Sequence, residues 1–478
     1  MGSTNQDIYA ELAAEFKAAG SKATVLTPGM PGYDESIKRW SDTCEKRAHA
    51  TIHPRTTPDI QRTLAFAHTH TIPLVIRGGG HSTSGASATS TGIVLDLSSL
   101  RTVTVDPTAL TITAGGGTTW ADVDAAAARH GLATVGGTVN HTGVGGLTLG
   151  GGYGHLSGAH GLTIDNLLAV RMVLADGSSV RAAADEHADL FWAVRGAGQN
   201  FGVVTEFVFR AHPQREAVFG GMLVFPGEKL GGVVEFANWF HAGNDGRQTL
   251  LFGFTAPPPH GVAVVVVAVF YNGTETEGRG FFAPLWELGP LVDGTRSMPY
   301  EELNGILNEG QGFGGRKSFG GGNFTLPLEP KLVEGIRDDF MAFVQGHEDM
   351  GESLMLFEGV PFKKINEVAS DATAFANRGE YYNVATMFKW YDEKLDGEVR
   401  AFSKALLKKA SEDAGVWKKG KEGQGVGQYA NYAELDHDAT EMFGKNTKRL
   451  AELKEKYDPG NVFRSHRLGA KPAEVIVH

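Results

Sequence analysis

Glycine narrows what this chain can become more than any other residue. It contributes 64 of 478 residues, about twice the usual ~7%, without a collagen period or the Ser/Pro bias of a low-complexity linker. The excess is concentrated in two places. "PLVIRGGGHSTSG", from Pro73 to Gly85, sets Gly78, Gly79 and Gly80 against His81 directly after an apolar run. "GGTVNHTGVGGLTLGGGYGHLSG", from Gly136 to Gly158, holds seven glycines in the twelve residues from Gly143 to Gly154. Glycine reaches positive φ without steric cost and lets backbone N–H groups approach a ligand with no Cβ between them, which is how a diphosphate is cradled. Tight turns in a β-rich fold explain either cluster alone; two clusters on either side of a helical segment point to a diphosphate-bearing cofactor. Neither G-x-x-x-x-G-K-[ST] nor a strand-closing G-x-G-x-x-G with an acid about 20 residues on is present, so a P-loop or Rossmann protein is disfavoured.

Up to residue 213, short Val/Ile/Thr-rich runs bounded by Gly, Pro and Asp read as strands: "HATIHP", "IPLVIRG", "GIVLDLSSL", "TVTVDP", "LTITAGGG", "LLAVRMVLADGSSV" and "FGVVTEFVFRAH". "TTPDIQRTLAFAHTH" and "TTWADVDAAAARHGL" carry helical periodicity behind Thr caps. From residue 214 the longer runs "FGGMLVFPGEK", "LLFGFTAPPP" and "VAVVVVAVFYNG" suggest a second sheet, covered by the helices "PKLVEGIRDDFMAFVQ" and "DGEVRAFSKALLKKASEDA". After "KKGKEGQGVGQ" comes the charged helix "TKRLAELKEKYDPGNVF", stopped at Asp458-Pro459-Gly460. The expectation is an α+β chain in three stretches: residues 1–213, 214–424 and 425–478.

Charge excludes some partners. With 44 basic against 55 acidic residues the net charge is -11, and no long Lys/Arg block invites nucleic acid or an anionic membrane. No apolar run approaches the ~18 residues of a membrane span. The opening "MGSTNQDIYAELAAEF" has neither the basic nor the apolar region of a secretion signal, and the lone Cys44 forms no internal disulfide, so a cytoplasmic protein is expected. Cys44 itself reads as a small buried hydrophobe. His130, His155 and His160 have no metal-ligand spacing, and no metal is expected.

Four segments, in order and spacing, resemble the berberine-bridge-enzyme-like flavoproteins of the vanillyl-alcohol-oxidase superfamily: "RGGGHS", "GGTVNHTGVGGLTLGGGYGHLSGAHGLTIDNLL", "ADLFWAVRGAGQNFGVVTEF" and "YANYAELDHD...FGKNTKRLAELKEKYDPGNVF". The likeness is strong over 45–213 and 425–478, and scattered between them. It implies a two-part FAD-binding domain, residues 1–213 with 425–478, and a substrate domain at 214–424 with an antiparallel sheet covered by helices. It also implies a flavin bonded through its 8α-methyl to His81, with Arg77, Gly78, Gly79 and Gly80 around the pyrophosphate. By the same match, Ser82, Gly85, Val139, Thr142, Gly143, Gly145, Gly146, Gly150, Gly152, Tyr153, Gly154, Gly202, Val204 and Asn431 are expected at the cofactor.

Many relatives carry a second tether, a cysteine in G-T-C-x-x-V-G-V-G-G. Here Val139 stands in its place, so a single histidyl link is expected, and Thr142 replaces the usual apolar residue near the flavin. The resemblance makes Tyr432 the first candidate for proton acceptor and Tyr429 the second. A phenol has a pKa near ~10, so a tyrosine base needs a setting that lowers it; Lys363 or Lys364 is the expected cation. Glu358, Glu367, Arg316 and Lys317 are further polar candidates. The implied activity is oxidation of an alcohol-like or secondary-metabolite molecule, with O2 taking the electrons as hydrogen peroxide and the protein a monomer or weak homodimer. A dehydrogenase, an oligosaccharide oxidase and a non-catalytic flavin-binding protein are the alternatives.

Overall fold

A computed structural model of the protein describes residues 5–259, 261–418, 425–433, 438–464 and 468. Helix and strand are mixed, as expected, and three sheets carry the architecture. In the first, strands Ala50–His53 and Leu74–Arg77 run parallel to Ile93–Asp96, and Thr24–Leu26 adds an antiparallel edge. The helix Thr57–Thr69 connects two of these strands. It starts where it does because Thr56 and Asp59 form a reciprocal capping box and Pro58 occupies its first turn, where a missing N–H costs nothing. Its Ile60, Leu64, Phe66 and Ala67 are buried.

The second sheet is five-stranded and antiparallel, in the order Val103–Asp106, Thr111–Gly115, Val203–Arg210, Leu167–Val173, Ser179–Ala183. Helix Trp120–Ala128 starts behind another Thr/Asp box, Thr119 with Asp122. The late helices Ala439–Phe443 and Thr447–Tyr457 put Met442, Phe443 and Leu450 into the core of this sheet, beside Trp120 and Phe207.

The third sheet has eight strands, all paired antiparallel. Ala217–Pro226, Gln248–Thr255 and Val264–Tyr271 are the expected runs, but Leu354–Gly359, Tyr382–Trp390 and Arg316–Phe324 extend the sheet beyond the sequence reading. Arg316–Phe324 contains Gly320, Gly321 and Gly322, and the sequence reading assigns this segment to no element. In the fold they are spacers: a Cβ on Gly320 would lie 2.6 Å from Leu407, and one on Gly321 would lie 2.6 Å from the Cβ of Tyr432. Strand glycines of this kind mark close approach by other chain segments. Helices Leu230–Gly243, Pro330–Gln345 and Asp396–Ala414 bury one face of the sheet around Phe252, Phe357 and Val384. The other face looks into a cleft. Among the described residues no helix is long and apolar enough to cross a membrane.

Candidate functional site

All three sheets contribute to one cavity of about 1150 Å³. That exceeds the ~300–1,000 Å³ of an ordinary small-molecule pocket and leaves room for a dinucleotide beside a second ligand. Gly78, Gly79, Gly80, His81 and Ser82 line it after the strand Leu74–Arg77, and Gly143, Gly145 and Gly146 line it from the second glycine cluster. The two loops touch through backbone: a Cβ built on Gly79 would lie 2.4 Å from the Gly143 nitrogen, and one on Gly143 2.4 Å from the Gly79 nitrogen. The amides of Gly79, Gly80, His81 and Ser82 find no backbone acceptor among the described residues, and all four residues line the cleft, Gly79 and Gly80 with no side chain. Such a nest suits an anionic diphosphate. Gly79→Ala should force the loops apart, lower stability by about 1–3 kcal/mol and reduce flavin content, read by thermal unfolding and by absorbance of the folded protein.

Other predicted cofactor residues divide by position. Val139, Thr142, Tyr153, Gly202, Val204 and Asn431 line the cavity, whereas Arg77, Gly85, Gly150, Gly152 and Gly154 do not. Arg77 pairs with buried Asp96 beneath the loop, so it braces the turn. Gly150 makes room for Asn431, whose Oδ1 would lie 2.1 Å from an added Cβ; Gly152 makes room for Thr163 and Gly154 for the Gly136 carbonyl. Gly85 has φ +78 and only Lys46 near it.

His81 sits among three rings, those of Trp40, His141 and Phe313. Its Nε2 is 2.9 Å from Nδ1 of His141, and its ring stacks on Trp40 with centroids 5.5 Å apart. Burial, then His141 and Lys317, push its pKa down to about 3, so the imidazole is neutral. Lys317 is buried with Nζ donating to the Trp40 carbonyl at 2.7 Å, and burial lowers its pKa to about 8. Sequence reasoning missed His141, Trp40 and Phe313. His141 lies inside the quoted glycine segment, but only the fold brings it against His81.

The far part of the cleft holds Glu358, Tyr429 and Tyr432. The Tyr432 hydroxyl donates to Glu358 Oε1 at 2.8 Å, and its ring is held edge-on by Phe319 and Tyr429 at 4.6 and 4.7 Å. Burial raises Glu358 to about 7 despite the Tyr432 bond. Burial and the neighbouring Glu358 raise Tyr432 well above the ordinary phenol value. This corrects the expected cationic partner: Lys364 pairs with Glu367 at the surface at 2.5 Å, and neither it nor Lys363 lines the cleft. Arg316 is likewise engaged elsewhere, with Asp396. Tyr429 is buried, and its hydroxyl accepts from the Gly152 amide at 3.0 Å and from Asn431 Nδ2 at 2.8 Å. Cys44 is buried, with its thiol toward the Thr83 carbonyl.

A glycine-amide cradle continuous with the buried Tyr432–Glu358 pair, at the meeting of three sheets, fits an FAD-dependent oxidoreductase. Comparison with known proteins agrees. Residues 48–183 match the FAD binding domain model, and 428–467 match the "Berberine and berberine like" model. The FAD-linked oxidoreductase pgmH of Aspergillus terreus is 35% identical over 448 residues, covering 89% of each chain. The chain therefore belongs to the berberine-bridge-enzyme-like FAD-linked oxidoreductases. Among solved structures, 6-hydroxy-D-nicotine oxidase from Arthrobacter nicotinovorans superposes with a TM-score of 0.81 at 24% identity, over 93% of this chain and 97% of that one. The glucooligosaccharide oxidase of Acremonium strictum, described with a 6-S-cysteinyl, 8α-N1-histidyl FAD, superposes with a TM-score of 0.80 at 22% identity, over 95% of this chain and 97% of its own.

Proposed function

We propose that this enzyme is an oxidase whose FAD is tethered through His81 alone, and that it takes two electrons from the carbinol carbon of a small secondary metabolite and passes them to O2 as hydrogen peroxide. The observation that carries the reading is the 2.8 Å bond from Tyr432 to Glu358, in the same cleft as the glycine cradle. Bound FAD supplies the hydride acceptor at its N5. The chain's own groups handle the proton. Tyr432 stays protonated at neutral pH, so it relays: its oxygen receives the substrate proton while its own proton passes to Glu358 Oε1.

The neutral ring of His81, with Nε2 engaged by His141, leaves Nδ1 free to bond the 8α-methyl. Val139 offers no thiol for a second link. In this reading residues 1–213 and 425–478 hold the cofactor and 214–424 the substrate.

Release of hydrogen peroxide with air as sole acceptor tests the proposal; reduction of a dye without peroxide would make the enzyme a dehydrogenase. The raised Glu358 also sets a pH profile. A relay that ends on a carboxylate needs that carboxylate ionised, so anaerobic flavin reduction should climb as pH rises through about 7. Glu358→Gln should slow reduction at every pH and remove that limb.

A further inference from the structure

The cleft wall supplied by the eight-stranded sheet has a uniform chemistry. Residues directly opposite each other on antiparallel strands share a face, and the register places Met222 opposite Ala268, Leu356 opposite Ala385, and Met387 opposite both Leu354 and Phe319. All of these line the cleft, and the sheet adds one polar side chain among them, Glu358. Glu358 is only 8% exposed; its Oε1 is taken by Tyr432, and its Oε2 has no partner among the described residues. Of the other carboxyl and amide side chains lining the cleft, Glu309 and Gln311 lie on the loop that reaches Trp40 and not on the sheet, while the Nδ2 of Asn431 is already spent on the Leu147 carbonyl and the Tyr429 hydroxyl.

We infer that the substrate is an apolar, ring-bearing alcohol that presents one hydroxyl to the Tyr432–Glu358 pair, and not an oligosaccharide. The inference rests on the reading of this cleft as the flavin and substrate site. A sugar carries a hydroxyl on most of its carbons, and each one buried without a partner weakens binding by about tenfold or more. The Met, Leu, Ala and Phe side chains of this wall donate and accept no hydrogen bonds to a sugar, whereas an aryl or fused-ring body buries its whole surface against them. The one carboxylate on the sheet wall, Glu358, then selects where the single hydroxyl sits, and so which carbon loses hydride.

The test uses the flavin-loaded enzyme under anaerobic conditions, titrated with 2-naphthalenemethanol and separately with xylobiose while the flavin spectrum is followed. Saturable perturbation or bleaching by the aryl alcohol, at a concentration at least about tenfold below that needed for xylobiose, is the expected result. Equal or tighter binding of xylobiose, or no response to either compound, overturns the inference. The flavin reading is scored separately, by the absorbance of the purified protein and its bleaching by dithionite. If no flavin is present, that reading fails by itself, and the same titrations read by tryptophan fluorescence, through Trp40 in the cleft, still decide the substrate class. Leu356→Asn, which places an amide on the wall, should weaken naphthalenemethanol by about tenfold with flavin content unchanged. Unaltered affinity in that variant also counts against the inference.

Discussion

Tyr432→Phe should slow anaerobic flavin reduction by about 10²–10⁴-fold, the usual worth of a positioned acid–base group. The substitution removes the hydroxyl and leaves the ring. The contacts with Phe319 and Tyr429 therefore survive, and thermal stability and flavin content should stay near those of the parent. What changes is Glu358. Its Oε1 loses its donor while Oε2 already has none among the described residues, so the carboxylate becomes harder to ionise and the rising limb of the pH profile moves to higher pH. A role limited to packing would move neither the rate nor the limb. Stopped-flow reduction across pH separates the two, and near-native reduction in Tyr432→Phe would remove this residue from the relay. Tyr429→Phe makes the contrast, because its hydroxyl already accepts from Gly152 and Asn431. There the larger effect should be on flavin binding and folding.

His81→Ala should abolish the flavin that stays with acid-precipitated protein, while some FAD still binds to the folded variant. The cradle formed by Gly79, Gly80 and the Gly143 turn is backbone and does not depend on the imidazole. Intact mass, the colour of the precipitate and the position of the flavin-bearing tryptic peptide check the prediction. A flavin peptide mapping elsewhere, or precipitated parent protein that is already colourless, would refute the tether.

Much of the molecule was legible before the fold. Local chemistry wrote its own signals: the Thr/Asp boxes that start the helices at Thr57 and Trp120, and the β-branched runs of the first two sheets. The cofactor class was legible because backbone close to phosphates requires glycine at particular positions, and a glycine requirement shows in one dimension.

The middle of the chain was less readable, since strand Arg316–Phe324 owes its three glycines to segments far away in sequence: the helix Asp396–Ala414 and Tyr432. Roles of charged residues escaped for the same reason. Lys364 is near Glu358 in sequence, yet its helical turn points it to Glu367, and Arg77 is spent on Asp96. Pairings between residues remote in sequence leave no periodic trace.

By itself, then, the sequence determined an α+β flavoprotein with His81 in a glycine loop and no thiol at position 139. Only the tertiary structure decided that Tyr432 faces a carboxylate, that His141 meets His81, and that one sheet face leaves the cleft an apolar wall. Each of these depends on burial and on distances between segments that the linear order does not encode.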